Sequence, residues 1–300
     1  MALNTQIWLT TIQENFYPDD SFASKSVDDS AWVNNKTVHV PNAGAPSGVE
    51  KNRKSLPASV SHRTDNDLEY NIDEFTSNPV HIPNIDTVEL SYDKRNSVIS
   101  NDRQELQRIV HENLLVKWFN GVVFDTTGEA RAAHTSTTAT GTRKKITKED
   151  VHNLEIKFNQ DNVAKEGRYL LLDSIMYADL LDSLTEKELS SFQQRADVAK
   201  GVMGQLYSFN VMERSQVLRT KADRKSILEW SETAVTGECA AGLAWQQQCV
   251  SRAQGEVKMF DDTDNPLYYG DIYSFLMRAG GSPRRYDKKG VAAIVEAVVA

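Results

Sequence analysis

Histidines are the side chains best suited to bind a metal ion or to transfer a proton near neutral pH. The chain has six of them: His39, His62, His81, His111, His134 and His152. Zinc sites commonly take paired ligands from positions about two to five residues apart, and no two of these histidines have that spacing. The sequence therefore predicts no metal site, and His111 is expected on the surface of a helix or in an interface.

An acidic run at residues 261–265 begins like a calcium-binding loop. Such a loop needs glycine at its sixth position and a glutamate at its twelfth. Counted from Asp262, Leu267 stands at the sixth position, and Tyr273 instead of a glutamate stands at the twelfth. A solvated turn between two strands is the better interpretation.

Motifs for nucleotide binding and for hydrolysis are absent from the sequence. It contains no GxxxxGK[ST] loop, no GxGxxG after a strand and no GxSxG turn. The two cysteines, Cys239 and Cys249, fit neither a disulfide framework nor a zinc site. We expect no catalytic residue, no cofactor and no enzymatic activity, and we expect synthesis in a reducing cytosol.

Composition excludes several other classes of protein. The 300 residues carry 34 Lys and Arg against 42 Asp and Glu, a net charge of −8. A dedicated nucleic-acid binder normally has a basic face instead. No apolar run approaches the roughly 20 residues that span a bilayer, and the N-terminus lacks the basic residues of a secretory signal.

The first hundred residues do not resemble a compact domain. A short helix is predicted within residues 1–17, but residues 22–95 are rich in Ser, Asn, Asp and Pro, with short strand-like segments at 37–40, 69–72, 80–82 and 87–92. Residues 41–57 have no hydrophobic periodicity and contain a small basic patch, Lys51, Arg53 and Lys54. So long a segment without regular secondary structure is uncommon in a compact domain unless it is functional or packs against another part of the structure or another molecule.

Helical patterns follow. Residues 101–119 place Leu106, Ile109, Val110, Leu114 and Trp118 on one stripe, which predicts a helix about 28 Å long. A second helix is expected to begin after Thr147, with Asp150 completing a capping box. Further helices are expected around 176–184, from Thr185 to Lys200, and over the alanine-rich residues 238–253.

Strands are predicted between and after these helices. They cover Arg168–Leu172 and residues 205–213, 256–260, 271–278 and 291–298. Helices and strands mix without regular βαβ alternation, so the fold class is α+β.

Segments of the second half are similar to those of a known family. Residues 166–181, EGRYLLLDSIMYADLL, resemble the family segment "GRYLVLDP…Y..LL", with Ser174 where proline is frequent. Residues 204–214 resemble its "G.I.GF.V..S" strand, and the ending around Arg285 and Gly290 resembles its "R.D..GV" close. Together with the order of elements, these segments resemble the major capsid protein of tailed double-stranded-DNA bacteriophages, whose fold is shared with encapsulins.

The resemblance implies the tailed-phage major capsid fold. Residues 1–30 would be an N-terminal arm and 31–97 an extended β-hairpin loop. Residues 98–144 would form a peripheral domain with a long spine helix. An axial domain would cover mainly 145–285, and 286–300 would return to the body as a strand.

The resemblance also implies partners. Identical subunits would form pentamers and hexamers of an icosahedral shell that encloses DNA without reading its sequence. A separate scaffolding protein, a portal and decoration proteins are further expected partners, and no membrane is involved. The candidate inter-subunit contacts are Trp8, Trp32, Lys51, Arg53, Lys54, Leu56, Phe75 and Tyr92. The protein would be located in the capsid of the virion and, during assembly, in the host cytoplasm.

Three alternatives remain open at this point. An encapsulin-type compartment would have the same fold but enclose protein cargo. A cytosolic hydrolase within residues 145–300 would make the N-terminal half an appendage. A nucleic-acid-binding protein would need a basic face that the sequence does not supply.

Overall fold

The computed structural model describes residues 21–34, 36–44, 48–54, 56–57, 60, 62–84 and 94–299. The predicted helix within residues 1–17 and the predicted strand at 87–92 lie outside these residues. Within them the chain forms four α-helices: α1 Lys94–Trp118, α2 Lys148–Gln160, α3 Ser174–Asp182 and α4 Glu186–Gln193. Among these helices, none has the length and hydrophobicity to cross a bilayer.

Strands make up much of the rest of the described chain. In chain order they are β1 Val27–Asp28, β2 Thr37–Asn42, β3 Asn66–Asn71, β4 Asp73–Thr76, β5 Val80–Pro83, β6 Val123–Asp125, β7 Ala130–Ala132, β8 Thr142–Lys144, β9 Arg168–Leu172, β10 Val202–Leu206, β11 Phe209–Glu213, β12 Leu218–Thr220, β13 Ile227–Leu228, β14 Cys239–Gln246, β15 Val250–Asn265, β16 Gly270–Pro283 and β17 Val291–Val295. The mixture confirms the predicted α+β class.

A central mixed sheet has the strand order β10-β11-β9-β14-β12-β13, and β17 joins it between β14 and β6. Alternate residues of β9 face opposite sides of this sheet. Leu170 and Leu172 contact the cluster that contains Leu154 of α2, whereas Leu171 contacts the cluster of Trp118. Because both faces of the sheet are covered here, residues 170–172 of β9 are all apolar and do not alternate with polar residues.

The helices on this sheet begin where the sequence predicts. The side chain of Asp150 accepts a hydrogen bond from the backbone N–H of Thr147 at 2.8 Å, which completes the capping box of α2. Thr185 and Glu188 form the same motif at α4. These caps satisfy N–H groups that have no partner inside a helix.

A second sheet is built on the long hairpin of β15 and β16, with the order β1-β15-β16-β4 and β5 also paired to β16. Helix α1 packs on it through Leu106 and Val110, which share a buried cluster with Val257, Tyr273 and Met277. Residues 250–283 therefore pack with the long helix, although the sequence places them in the segment 145–285.

Strands β2 and β3 form a separate two-stranded hairpin with six residue pairs in register, from Thr37 with Asn71 to Asn42 with Asn66. One face of the hairpin is buried, since Val38, Val40 and Tyr70 pack against Ala253 of β15. Residues 43–65 connect the two strands.

Two segments differ from the sequence-based prediction. Residues 205–213 form the hairpin of β10 and β11, because Tyr207 turns the chain with a φ of 51°. Residues 238–253 were predicted as a helix, but they contain β14, every residue of which is buried. A strand covered on both faces favours small residues: at Gly242, a Cβ atom would lie 2.5 Å from the side chain of Leu172.

Smaller differences concern single positions. Helix α4 ends at Gln193, and a separate 3₁₀ turn precedes Gly201. Ile109 is exposed, unlike the other residues of its predicted stripe. His111 was expected on the surface of a helix or in an interface, but it is buried within the subunit, edge-on against Phe22, with 5.6 Å between the ring centroids.

Candidate inter-subunit surfaces and a buried charge cluster

The connector between β2 and β3 exposes apolar side chains that no described residue of the chain covers. Leu56 is 84% exposed, and Val49 and Val60 are each 99% exposed. Exposed apolar groups in one short segment are typical of an interaction site. We call Val49, Leu56 and Val60 the loop-tip patch.

The predicted basic residues lie in the same connector. Lys51, Arg53 and Lys54 are all exposed, and Arg53 forms an ion pair with Glu50 of its own chain at 3.4 Å. The structure thus brings Leu56 and these three cations into one segment. The sequence reasoning named Leu56 but missed Val49 and Val60, which stand out only as isolated apolar residues in a polar stretch.

The other predicted contact residues lie elsewhere. Trp32 is 73% exposed in a 3₁₀ turn. Phe75 is half-buried in β4, where it pairs with Met277 and packs against the cluster under α1. Trp8 and Tyr92 lie outside the described residues. The role of all eight residues between subunits stays a prediction.

The turn between β15 and β16 forms a second exposed apolar surface, which sequence reasoning did not predict. Leu267 and Tyr269 are each 81% exposed there, and Tyr268 is also exposed. The acidic run 261–265 ends β15 directly before this turn, where the side chain of Asn265 accepts a hydrogen bond from the backbone N–H of Leu267 at 2.9 Å. The feature of the sequence that could have indicated this surface is the presence of three large apolar residues in a turn.

Five charged or titratable side chains meet in a buried cluster beside the central sheet. Arg131 of β7 donates to Asp179 of α3 at 2.6 Å and also to Glu296, just after β17. Arg131 further donates to Nδ1 of His134 at 2.6 Å, while Nε2 of His134 lies 3.0 Å from Asp173. This network holds the hairpin of β7 and β8 against the sheet.

Burial dominates the electrostatics of Glu296. It raises the pKa of Glu296 to about 7, although the electrostatic interactions with His134 and Arg131 act in the opposite direction. The charge of Arg131 is shared with Asp179, and the negative charge of Asp173 raises the pKa of Glu296 further. The free-energy cost of removing the carboxylate of Glu296 from water exceeds the stabilisation it gains from Arg131, because Arg131 also pairs with a second carboxylate.

A cavity of about 250 Å³ lies beside this cluster and bears on the hydrolase alternative. Its lining includes His134, Asp173 and Ser174, types of residue that hydrolases use. A general base, however, needs a free ring nitrogen within hydrogen-bond reach of the nucleophile. Both ring nitrogens of His134 already have partners, so the arrangement favours a structural role.

Comparison by sequence identifies no relative: no protein-family model and no curated protein matches the chain. Comparison by structure finds chains with a similar fold. The capsid of Ralstonia phage GP4 is similar over 92% of this chain and 88% of that chain, with a TM-score of 0.65 and 11% identity. The capsid of the cyanophage P-SCSP1u is similar over 90% and 86% of the two chains, with a TM-score of 0.62 and 15% identity.

A particle from a cellular organism has a similar structure as well. The virus-like particle from Pyrococcus furiosus is similar over 95% of this chain and 96% of that chain, with a TM-score of 0.54 and 8% identity. Identities this low establish the fold alone. The chain therefore has the fold of phage major capsid proteins, as the sequence predicts.

The buried carboxyl group of Glu296 predicts how stability changes with pH. Its pKa is about 7 in the folded chain against an ordinary 4.5, so the folded chain binds more protons between these values. The free energy of unfolding should therefore fall as pH rises from about 4.5 to about 7, by up to about 3 kcal/mol relative to Glu296→Gln. Urea titrations of both proteins at pH 5, 6, 7 and 8 measure this difference. A difference between the two proteins that stays constant with pH would contradict the assignment.

Proposed function

We propose that this chain is a major capsid protein, which assembles as pentamers and hexamers into an icosahedral shell enclosing phage double-stranded DNA. The carrying observation is the capsid fold, shared over about nine tenths of the chain with capsids such as that of Ralstonia phage GP4. None of the described residues forms an arrangement that points to a catalysed reaction. The virion is the proposed location.

The loop-tip patch supports assembly. A chain that worked as a monomer would leave Val49, Leu56 and Val60 in water, whereas a neighbouring copy could cover them. Burying one such side chain contributes about 1.5–3 kcal/mol. In a closed shell every copy repeats the contact, so modest energies at each interface accumulate.

The packing also suggests a revised division of the chain. We assign the extended loop to residues 37–71, whose hairpin forms its own two-stranded sheet. We assign residues 250–283 to the peripheral domain, because their hairpin packs with α1. The axial domain then consists mainly of residues 145–249, and 291–295 return to its sheet.

The charge of the chain fits a shell that confines DNA. With a net charge of −8, the shell has little of the salt-dependent attraction by which phosphate-binding proteins hold nucleic acid. Retention would come from closure of the shell. A separate scaffolding protein, a portal and decoration proteins are the further partners we propose.

A compartment that encloses protein cargo is the second candidate. The likeness to the virus-like particle from Pyrococcus furiosus favours it, because that particle comes from a cellular organism. The two functions differ in what the particle contains.

Electron microscopy of size-fractionated protein tests the proposal. The chain is expressed alone and with a co-expressed scaffolding protein, and we expect closed shells, tubes, or rings of five or six subunits. Nucleic acid inside the particles would support the virus, and a bound enzyme would support the compartment. A monomer of 33.7 kDa under both conditions would contradict a shell protein.

Deletion of residues 44–58 tests the loop. The strands β2 and β3 remain, so we expect a folded subunit that forms no stable shells, measured by sedimentation velocity and circular dichroism. Leu56→Asp should weaken assembly in the same direction, because it places a charge in an apolar contact, and Leu56→Met serves as the matched control that keeps the contact. Normal particles from the deletion variant would overturn the interface assignment.

A further inference from the structure

Three metal-ligating side chains converge on the exposed face of the β2–β3 hairpin. Glu69 lies directly opposite His39 in the register, and Asp67 is two residues away from Glu69 on the same face. All three side chains are at least half exposed. The face opposite to them carries the buried Val38 and Val40, so the alternation of the strands fixes His39, Asp67 and Glu69 on one side.

The separations of their ligand atoms fit a shared ion. Nδ1 of His39 lies 2.9 Å from Oδ2 of Asp67, a hydrogen-bond distance, and 3.2 Å from Oε1 of Glu69. A metal ion bound here would take the place of the proton on Nδ1. Two adjacent ligands at about 2.0–2.2 Å from one zinc ion lie about 2.8–3.6 Å apart in tetrahedral or octahedral geometry. The three ligand atoms all lie within 4.8 Å of one another, so a small rotation of an exposed carboxylate completes the set.

The charges at this position also favour a cation. In the part of the chain that the structure describes, neither Asp67 nor Glu69 forms an ion pair with a lysine or arginine. Nearby Asp65, in contrast, is paired with Arg63 at 2.6 Å. Like charges on neighbouring positions of one sheet face repel each other, and an ion bound between them would remove this repulsion.

We propose that His39, Asp67 and Glu69 bind one divalent transition-metal ion, of which zinc is the representative. One imidazole and two carboxylates are a nitrogen and oxygen donor set that suits such ions. Three protein ligands leave at least one position for water or for a ligand from another molecule. The ion would join β2 to β3 and hold the hairpin that carries the loop-tip patch. This proposal does not depend on the proposed function.

The short-spacing criterion applied to the sequence could not find this site. His39 is separated from Asp67 by 28 positions in the chain, and only the pairing of β2 with β3 brings them together. The site is thus a cross-strand site, formed by the register.

Titration of the full chain with ZnCl₂ in a calorimeter tests the proposal, with Co²⁺ absorption as a second readout. We expect one ion per chain, with His39→Ala and Glu69→Gln each weakening zinc affinity by at least about tenfold, since even outer-shell changes cost that much. Asp67→Asn should act in the same direction. His62→Ala and Asp65→Asn are the matched controls, because His62 is an exposed histidine of the same connector and Asp65 is held by Arg63; neither should change the affinity.

Several outcomes would overturn the site. They are absence of zinc binding by the unmodified chain, and zinc binding that His39→Ala leaves unchanged. A third is displacement of zinc by equimolar Mg²⁺ or Ca²⁺, because the imidazole gives a hard cation little advantage. Circular dichroism of each variant ensures that a lost signal reports the ligands and not the fold, which is expected to persist because all three side chains are exposed.

Discussion

The indole of Trp118 joins the two larger sheets of the subunit, and the remaining packing depends on this contact. Its N–H donates to the carbonyl oxygen of Ser251 at 2.8 Å, at the base of the long hairpin. Its ring lies 5.4 Å from that of Trp245 in the central sheet. One end of α1 is thereby fixed in the core of the central sheet, while Leu106 and Val110 cover the second sheet.

This junction leaves the outer ends of both hairpins uncovered. The β2–β3 hairpin buries one face against Ala253 but exposes its loop-tip patch, and the β15–β16 hairpin ends in Leu267 and Tyr269. Two exposed apolar ends on a firmly held body favour contacts with other copies. The chain has the fold of phage capsid proteins although its sequence matches no curated protein. This fold is the reason for proposing that these ends contact neighbouring subunits of a shell.

Local patterns in the sequence predicted much of the subunit correctly. They failed where a segment is buried on both faces and therefore has no alternation of polar and apolar residues. The capping boxes at Thr147 and Thr185 and the strand Arg168–Leu172 were predicted because their causes are local. Strand β14 was predicted as a helix, since its alanines indicate helix propensity, whereas its close contact with Leu172 depends on the tertiary fold.

The surfaces were harder to predict than the fold. Leu56 and the three cations of the connector could be named from an unusual stretch of sequence. The cluster around His134 and the cross-strand set at His39 could not, because their members come together only through sheet pairing and packing. No spacing rule along the chain encodes such distances.

Hydrogen exchange of the connector between β2 and β3 tests the central claim most directly, namely that a neighbouring copy covers this loop. Peptides from residues 43–65 are compared in the free subunit and in the assembled particle, with Arg168–Leu172 in the core as the internal reference. We predict that exchange in the connector slows by at least about tenfold on assembly, which corresponds to about 1.4 kcal/mol. The reference strand should be protected in both states. Equal exchange of the connector in the free and assembled states would contradict the account.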